Sequence, residues 1–312
     1  MFDYKIHITP DDYIHELEEK DCKDYLFIAP VGETLNNEMG DVYYQENAFV
    51  PYHEHSKGYE TFSIDRGSVE VTINGKRSVA EAGDLIHIEP YMSHGFRFLE
   101  EGTIWRELFL GMDMYGGILE KQLIDRSYPE KLKDDAFMAG YRLKHHTKLL
   151  GEPEPEVVQK EGMPQIRPKG KGIACFAFDG IVCSQKVGRH ETGGAKEIWE
   201  FAMDKGVCVE WDAPHPDWDL YVVKEGRVEV SVLGETFTAN ARDILHVPPY
   251  TSYSMKILDD RTVLHAYNVK ALGLRLAEIV EKKLEAGPDL AGHWDEVKDI
   301  FRQNKSCITK IS

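Results

Sequence analysis

The 312-residue chain is predicted to be all-β with added helices: two tandem antiparallel sandwiches or barrels, each followed by a short helical segment. Three observations carry this prediction: an internal repeat, short strand patterns punctuated by turn signals, and helical periodicity after each copy. Shifting the sequence by 159 positions (219 − 60 = 159) lays Glu60–Glu107 on Asp219–Ala266 without a gap. Gly67 then meets Gly226, Val69 meets Val228, Asp84 meets Asp243, His87 meets His246, Pro90 meets Pro249, Tyr91 meets Tyr250 and Thr103 meets Thr262. Turn glycines and prolines held in one register mark a duplication.

Within copy one, Thr61–Asp65 and Ser68–Ile73 are rich in β-branched and aromatic residues. Arg66–Gly67 and Asn74–Gly75 supply turns beside them. Leu85–Ile88 follows the Ala82–Asp84 turn and stops at Pro90; Arg97–Leu99 and Thr103–Leu110 flank a further turn at Glu100–Gly102. Copy two repeats the pattern through Leu220–Val223, Val228–Leu233, Ile244–Val247 and Thr262–Asn268. Helices are predicted at Gly117–Ile124 and Asp134–Lys144, and again at Leu272–Ala286 and His293–Asn304, as covers for a barrel edge or a partner subunit. The Pro-, Glu-, Gly- and Lys-rich run 151–172 reads as an exposed linker, giving an N-terminal domain 1–150 and a C-terminal domain 173–312.

The formal charge of −17 disfavours phosphate backbones and anionic lipid, so no nucleic-acid or membrane partner is expected. No run of 18 apolar residues and no basic-then-apolar leader is visible. The five cysteines are scattered without a C-x-x-C pair, which fits reduced thiols in a cytoplasmic protein better than a disulfide framework or a zinc knuckle. No Walker-type phosphate loop or dinucleotide fingerprint occurs.

The chemistry-bearing pattern lies in copy one: His53-Glu54-His55, then Glu60, Gly67 and His94. Alternate strand residues share a face, so His53 and His55 can point into a barrel together while Glu54 points out. With Glu60 on the neighbouring strand and His94 on a third, three imidazoles and a carboxylate make a nitrogen/oxygen set for a first-row divalent metal.

His53 to Gly67 resembles the first motif of the cupin superfamily, His-x-His, four residues, Glu, six residues, Gly; Gly83 to His94 resembles the second. With the duplication, the chain is similar to bicupins over roughly 40–110 and 199–268. The resemblance implies two double-stranded β-helix (jelly-roll) barrels, with the metal on His53, His55, Glu60 and His94. Two positions depart from the pattern. Asn47 stands where a glycine is expected six residues before the first histidine, and the Pro-x-Gly of the second motif reads Glu89-Pro90-Tyr91.

In copy two the same shift puts Asp212 for His53, Pro214 for His55, Asp219 for Glu60 and Tyr253 for His94. Shortening the loop by one residue puts His215 in the place of His55, but Ala213 then replaces His53. The second site is expected to be degenerate and without metal, its barrel serving structure, or alternatively a pocket walled by Trp218, Tyr221 and Tyr253. His87 and His246 repeat each other and are expected to pack rather than ligate; His145 and His146 are expected to be solvated.

If Glu60 and His94 face inward, strand parity brings Phe62, Ile64, Phe96 and Phe98 with them as substrate-pocket walls. Arg106 is a pocket residue if inward, pairing with a substrate carboxylate, and inert if outward. The function expected is that of a metal-dependent enzyme with one Fe, Mn, Ni or Zn per chain, acting on a small-molecule substrate that chelates through oxygen. By resemblance the first choice is a dioxygenase of an aromatic or enolic compound, with Glu60 loosening to act as a base. An isomerase, lyase or decarboxylase on the same ligands, or a non-catalytic ligand-binding protein, are the alternatives. A homo-oligomer, by symmetry a dimer, is expected.

Overall fold

The computed structural model describes residues 5–29, 37–178, 180–212, 218–267 and 307–311. The chain forms two compact units, Tyr13–Lys169 and Met1–Asp12 with Gly170–Ser312. Strand β1 (His7–Ile8) belongs to the second of these.

The first unit is a barrel of two facing sheets. It runs through β2 (His15–Glu18), β3 (Cys22–Ile28), β4 (Asn37–Tyr44), β5 (Phe49–His55), β6 (Tyr59–Arg66), β7 (Ser68–Ile73) and β8 (Lys76–Glu81). It continues with β9 (Leu85–Ile88), β10 (His94–Phe98), β11 (Thr103–Leu110), helices α1 (Met114–Ser127) and α2 (Asp135–Lys144), and β12 (Thr147–Leu149), β13 (Glu156–Val157) and β14 (Ile166–Arg167). One sheet has the order β12-β5-β10-β7-β8-β13, the other β14-β9-β6-β11-β4-β3-β2. Their inward residues form one core that includes Val42, Phe62, Ile64, Val71, Phe96, Phe98 and Trp105. Each such side chain contributes roughly 1.5–3 kcal/mol through its burial.

The second unit adds β15 (Cys175–Phe178), β16 (Ile181–Val187), β17 (Ile198–Met203), β18 (Cys208–Asp212), β19 (Asp219–Glu225) and β20 (Val228–Val232). Then come β21 (Glu235–Ala239), β22 (Ile244–Val247), β23 (Tyr253–Ile257), β24 (Thr262–Tyr267) and β25 (Cys307–Ile311). Its sheets have the orders β1-β22-β19-β24-β17-β16-β15 and β21-β20-β23-β18-β25, around a separate core with Val223, Val230, Leu245 and Leu264.

Two boundaries differ from the sequence expectation. The 151–172 segment is not a bare linker: Glu156 and Val157 pair in parallel with β8, and Ile166 and Arg167 pair with β9. The first dozen residues join the C-terminal unit, His7 pairing with Leu245. Both helices expected after the first copy are present, α1 capped by Asp113 and α2 by Asp134. Those expected at Leu272–Ala286 and His293–Asn304 lie outside the described residues. No described helix is long and apolar enough to cross a membrane, and Cys22, Cys175, Cys183 and Cys208 are free thiols.

The repeated identities have a steric cause. Gly67 and Gly226 take φ of +84° and +76°, and a Cβ on either would collide with Oγ1 of the repeated threonine, Thr103 or Thr262. The two departures from the motif keep glycine-like backbone as well: Asn47 has φ +63° and Tyr91 φ +65°. Asparagine tolerates this region and tyrosine is strained there, so the turn shape persists without its usual residue.

Candidate metal centre

Four side chains from three strands meet at one end of the first barrel. His53 and His55 come from β5, Glu60 is the second residue of β6 and His94 opens β10. His94 is directly paired with His53 in one sheet, and Glu60 faces them from the other. One ligand atom from each of the four lies within 4.8 Å of the rest. All four are buried, His53 being the least covered at 8% exposure. Glu54 points the other way and binds Lys148 at 2.9 Å, as strand alternation requires.

Each imidazole is held from behind through Nδ1. His53 Nδ1–H donates to the Pro51 carbonyl at 2.7 Å and His94 Nδ1–H to the Met92 carbonyl at 2.9 Å. The Thr147 hydroxyl donates to the His145 carbonyl, so its oxygen accepts from His55 Nδ1–H at 3.2 Å. These partners fix the tautomers and leave three bare Nε2 lone pairs aimed at one point. His53 Nε2 and His55 Nε2 are only 3.0 Å apart. Glu60 lies 3.4 Å from His55 Nε2 and 3.0 Å from His94 Nε2. Glu60 Oε2 and His94 Nε2 are nonetheless buried without a well-aligned hydrogen bond. Lone pairs facing lone pairs and an orphaned carboxylate oxygen are what a cation would satisfy, so the set fits a divalent metal.

Electrostatics agree with the geometry. Burial, with the neighbouring His94, pushes His53 down to about 3, and burial lowers His55 too. Burial alone would raise Glu60, but His55 and His94 outweigh it and hold the carboxyl at about 2. Burial also opposes charge on His94, and Glu60 overcomes it, raising that imidazole. An anion beside nitrogen donors, two of which burial keeps neutral, is a cation's environment.

The other residues singled out from sequence separate into groups. Phe62, Ile64, Phe96 and Phe98 all face inward, and the three phenylalanines are packed ring on ring. Phe62 stacks on Trp105 at 4.2 Å and meets Phe96 edge-on at 5.2 Å; Phe98 stacks on Tyr44 at 3.4 Å. The Phe96 ring lies 5.5 Å from the His94 ring, and all four side chains belong to the barrel core. Arg106 is not in the pocket. It is buried on the opposite face of β11 from Trp105, with Nε and Nη2 on the two Asp41 oxygens at 2.6 and 2.9 Å. His87 bonds Thr61 at 3.0 Å away from the cluster. His145 is not solvated but bonds Glu120 at 2.8 Å.

In the second barrel, Tyr253 takes the place of His94 and Asp219 that of Glu60, and they bond at 2.7 Å. Tyr221 closes the chain onto Tyr253 at 2.8 Å. The β18–β23 register sets Trp211, not Asp212, opposite Tyr253, where β5–β10 sets His53 opposite His94. Asp212 is therefore one residue out of the expected position; His215 lies outside the described residues. Trp218 stacks on His246 at 4.5 Å rather than on the two tyrosines.

Sequence reasoning missed Thr147, which lies 92 residues from His55 and carries no motif. It also missed the buried carboxylates of Asp24, Glu38 and Glu107. Had Trp105 been taken as the inward residue of β11, alternation would have placed Glu107 inside as well.

Residues 40–104 match the cupin domain family. No curated protein sequence matches the chain. Solved structures of oxalate decarboxylase are similar in fold. One, from work on an element that modulates proton-coupled electron transfer, has a TM-score of 0.54 at 16% identity, covering 85% of this chain and 77% of that one. The Bacillus subtilis enzyme at pH 4.6 gives 0.51 at 14%, covering 85% and 76%. A structure addressing substrate binding mode and a reaction-specificity switch gives 0.53 at 16%, covering 85% and 77%. The match to a cupin domain thus lies within the N-terminal barrel, and the chain shares the two-barrel fold of these solved structures.

Proposed function

We propose that the first barrel holds one divalent first-row cation on His53, His55, Glu60 and His94, and that the chain is a metal-dependent lyase, a decarboxylase of a small carboxylate that chelates through two oxygens. The observation that carries this reading is the convergence of three Nε2 lone pairs and one carboxylate, each imidazole fixed by an Nδ1–H bond. Such a cation supplies Lewis-acid stabilisation of charge developing on a chelated oxygen. The protein orients the ligands through Pro51, Met92 and Thr147, and keeps Glu60 anionic. It excludes water with Phe62, Phe96 and Phe109. Glu60, held at about 2, is a ligand first and only a weak base.

The three fold relatives named above are oxalate decarboxylases, and work on the Bacillus subtilis enzyme describes Mn(II) centres. They favour redox-neutral carbon–carbon cleavage over the dioxygenase expected from sequence, for which these relatives offer no support, and they favour Mn among the candidate metals. With Arg106 committed to Asp41, chelation rather than that guanidinium anchors the substrate.

The test is elemental analysis of protein purified without added metal, followed by carbon dioxide release from oxalate and from 2-oxo and 2-hydroxy acids. Stoichiometric metal lost in His53→Ala, with carbon dioxide released by the loaded wild type, supports the proposal. Metal retained in His53→Ala would overturn the ligand assignment; a loaded protein inert on the whole panel would overturn the decarboxylase.

A further inference from the structure

A cavity of about 500 Å³ lies between α1, α2 and β12 of the first unit, outside the barrel core. Its volume is in the range that holds a small organic molecule. The apolar part of its lining comes from Met112, Met114, Ile118, Met138 and Leu149. The rim is cationic, with Lys57, Lys121, Arg142 and Lys144 against the single carboxylate Asp113. That local sign runs against a chain of formal charge −17.

The rim cations are not equally available. Both oxygens of Glu120 hold Lys144 at 2.6 Å, and Glu120 also binds His145. Lys121 approaches Glu19 at 3.5 Å. Asp113 is spent on the N-terminus of α1, accepting from the Gly116 amide at 3.0 Å. Among the described residues, Lys57 and Arg142 pair with no carboxylate. Two uncompensated cations beside a thioether and aliphatic lining suit an amphiphile with an anionic head. The apolar lining disfavours a fully hydrated ion such as inorganic phosphate, which gains nothing from it.

We propose that this cavity binds an organic carboxylate with an apolar body, its head on Arg142 and Lys57 and its tail on Met138, Ile118 and Leu149. The site is separate from the metal centre and goes beyond the function proposed above. It is also one hydroxyl away from that centre, because Thr147 lines the cavity and accepts the Nδ1–H of His55. An occupant is thus placed to bear on the orientation of a metal ligand.

Calorimetric titration of the full chain with octanoate tests this, with octanol and inorganic phosphate as comparison probes. Octanoate is expected to bind saturably, and octanol and phosphate each at least roughly tenfold more weakly. Lys57→Glu with Arg142→Glu should weaken octanoate by tenfold or more, whereas Arg126→Glu, in the last turn of α1 but away from the cavity, should not. Circular dichroism checks that the double variant is folded, and Met138→Asp supplies a second disruption from the apolar lining. His94→Ala should bind octanoate as the wild type does, which keeps this result independent of the metal. Octanoate that fails to bind, equal binding of octanol or phosphate, or affinity unchanged in the folded charge-reversal variant would each overturn the proposal.

Discussion

Near the start of β6, Glu60 meets three imidazoles; at the matching place in the second barrel, Asp219 accepts from the phenol of Tyr253, which is bonded in turn to that of Tyr221. The two positions are paired identically, Glu60 with Ile88 and Asp219 with Val247, 159 residues on in each case. A carboxylate buried at a barrel's end must be neutralised or bonded, because desolvation alone costs several kcal/mol. The first barrel surrounds it with lone pairs and so calls for a cation. The second gives it an O–H donor. Burial, reinforced by Asp219, raises both Tyr221 and Tyr253 far above the ordinary phenol range, so they remain protonated and donating. The same fold position thus holds a ligand set that fits a metal in one copy and a hydrogen-bonded plug in the other, and a change from imidazole to phenol is the pivotal difference.

The sharpest way to break this contrast is to write the second barrel's residue into the first. His94→Tyr should abolish metal binding, a larger effect than the ~100-fold that loss of an outer hydrogen-bond partner costs. The phenol removes one nitrogen donor and gives Glu60 an O–H in its place, as Tyr253 does for Asp219. Elemental analysis after purification checks this; full metal occupancy in His94→Tyr would mean that the cluster does not depend on its third imidazole.

Next in size is a buried contact that the duplication preserved in place but not in chemistry, an ion pair in the first barrel and, in the second, a hydrogen bond from an imidazole that burial holds down at about 4. Arg106–Asp41 in the first barrel falls on His265–Glu200 in the second, each pair directly opposed on adjacent strands. Removing Arg106 leaves Asp41 buried without its guanidinium, so Arg106→Ala should cost about 3–5 kcal/mol of stability. Glu200 also has Lys186 at 3.1 Å, so His265→Ala should cost less. Urea denaturation of both variants tests the order. An Arg106→Ala protein of wild-type stability would restore the reading of this arginine as a residue kept for substrate.

Why the ligands were legible in the sequence and Arg106 was not has one cause. The ligand set follows from alternation over three residues and from a motif with fixed spacing. Arg106 sits in β11, where every residue from Thr103 to Leu110 is buried. When both faces of a strand are covered, polarity no longer says which face is the interior. The same limit hid the two-residue strands at Glu156 and Ile166, too short for a period to register, inside a stretch whose composition reads as linker. Asp212 was misplaced because counting residues across a loop cannot see a one-residue slip, whereas ladder pairing can. The 159-residue repeat survived because glycine and threonine at each turn are locked sterically.

Smaller again is the plug itself. Tyr253→Phe removes the donor to Asp219 and one partner of Tyr221, and should cost about 1–3 kcal/mol while leaving metal content unchanged. A loss of metal in this variant would show that the two barrels are not independent in this respect. The measurement is a thermal melt paired with elemental analysis.

The least effect, and the one that compares the barrels away from their ends, concerns Asp24. It faces the first core beside Glu107, at ladder positions the second barrel fills with Cys183 and Ala266. Burial, with Glu19 nearby, raises Asp24 to about 7, and burial with Asp24 raises Glu107 well above the usual carboxylate range. A raised folded-state value means that the folded chain binds the proton more tightly than the unfolded one. Stability therefore falls as pH rises from about 4, where an unfolded aspartate ionises, through about 7. Asp24→Asn removes that dependence at one site. The variant should match the wild type near pH 4 and exceed it increasingly toward pH 8, read as a Tm difference that grows with pH. A gap constant across this range would mean that Asp24 is ionised in the folded barrel at every pH, and that this part of the first barrel's interior is balanced by charge rather than by protons.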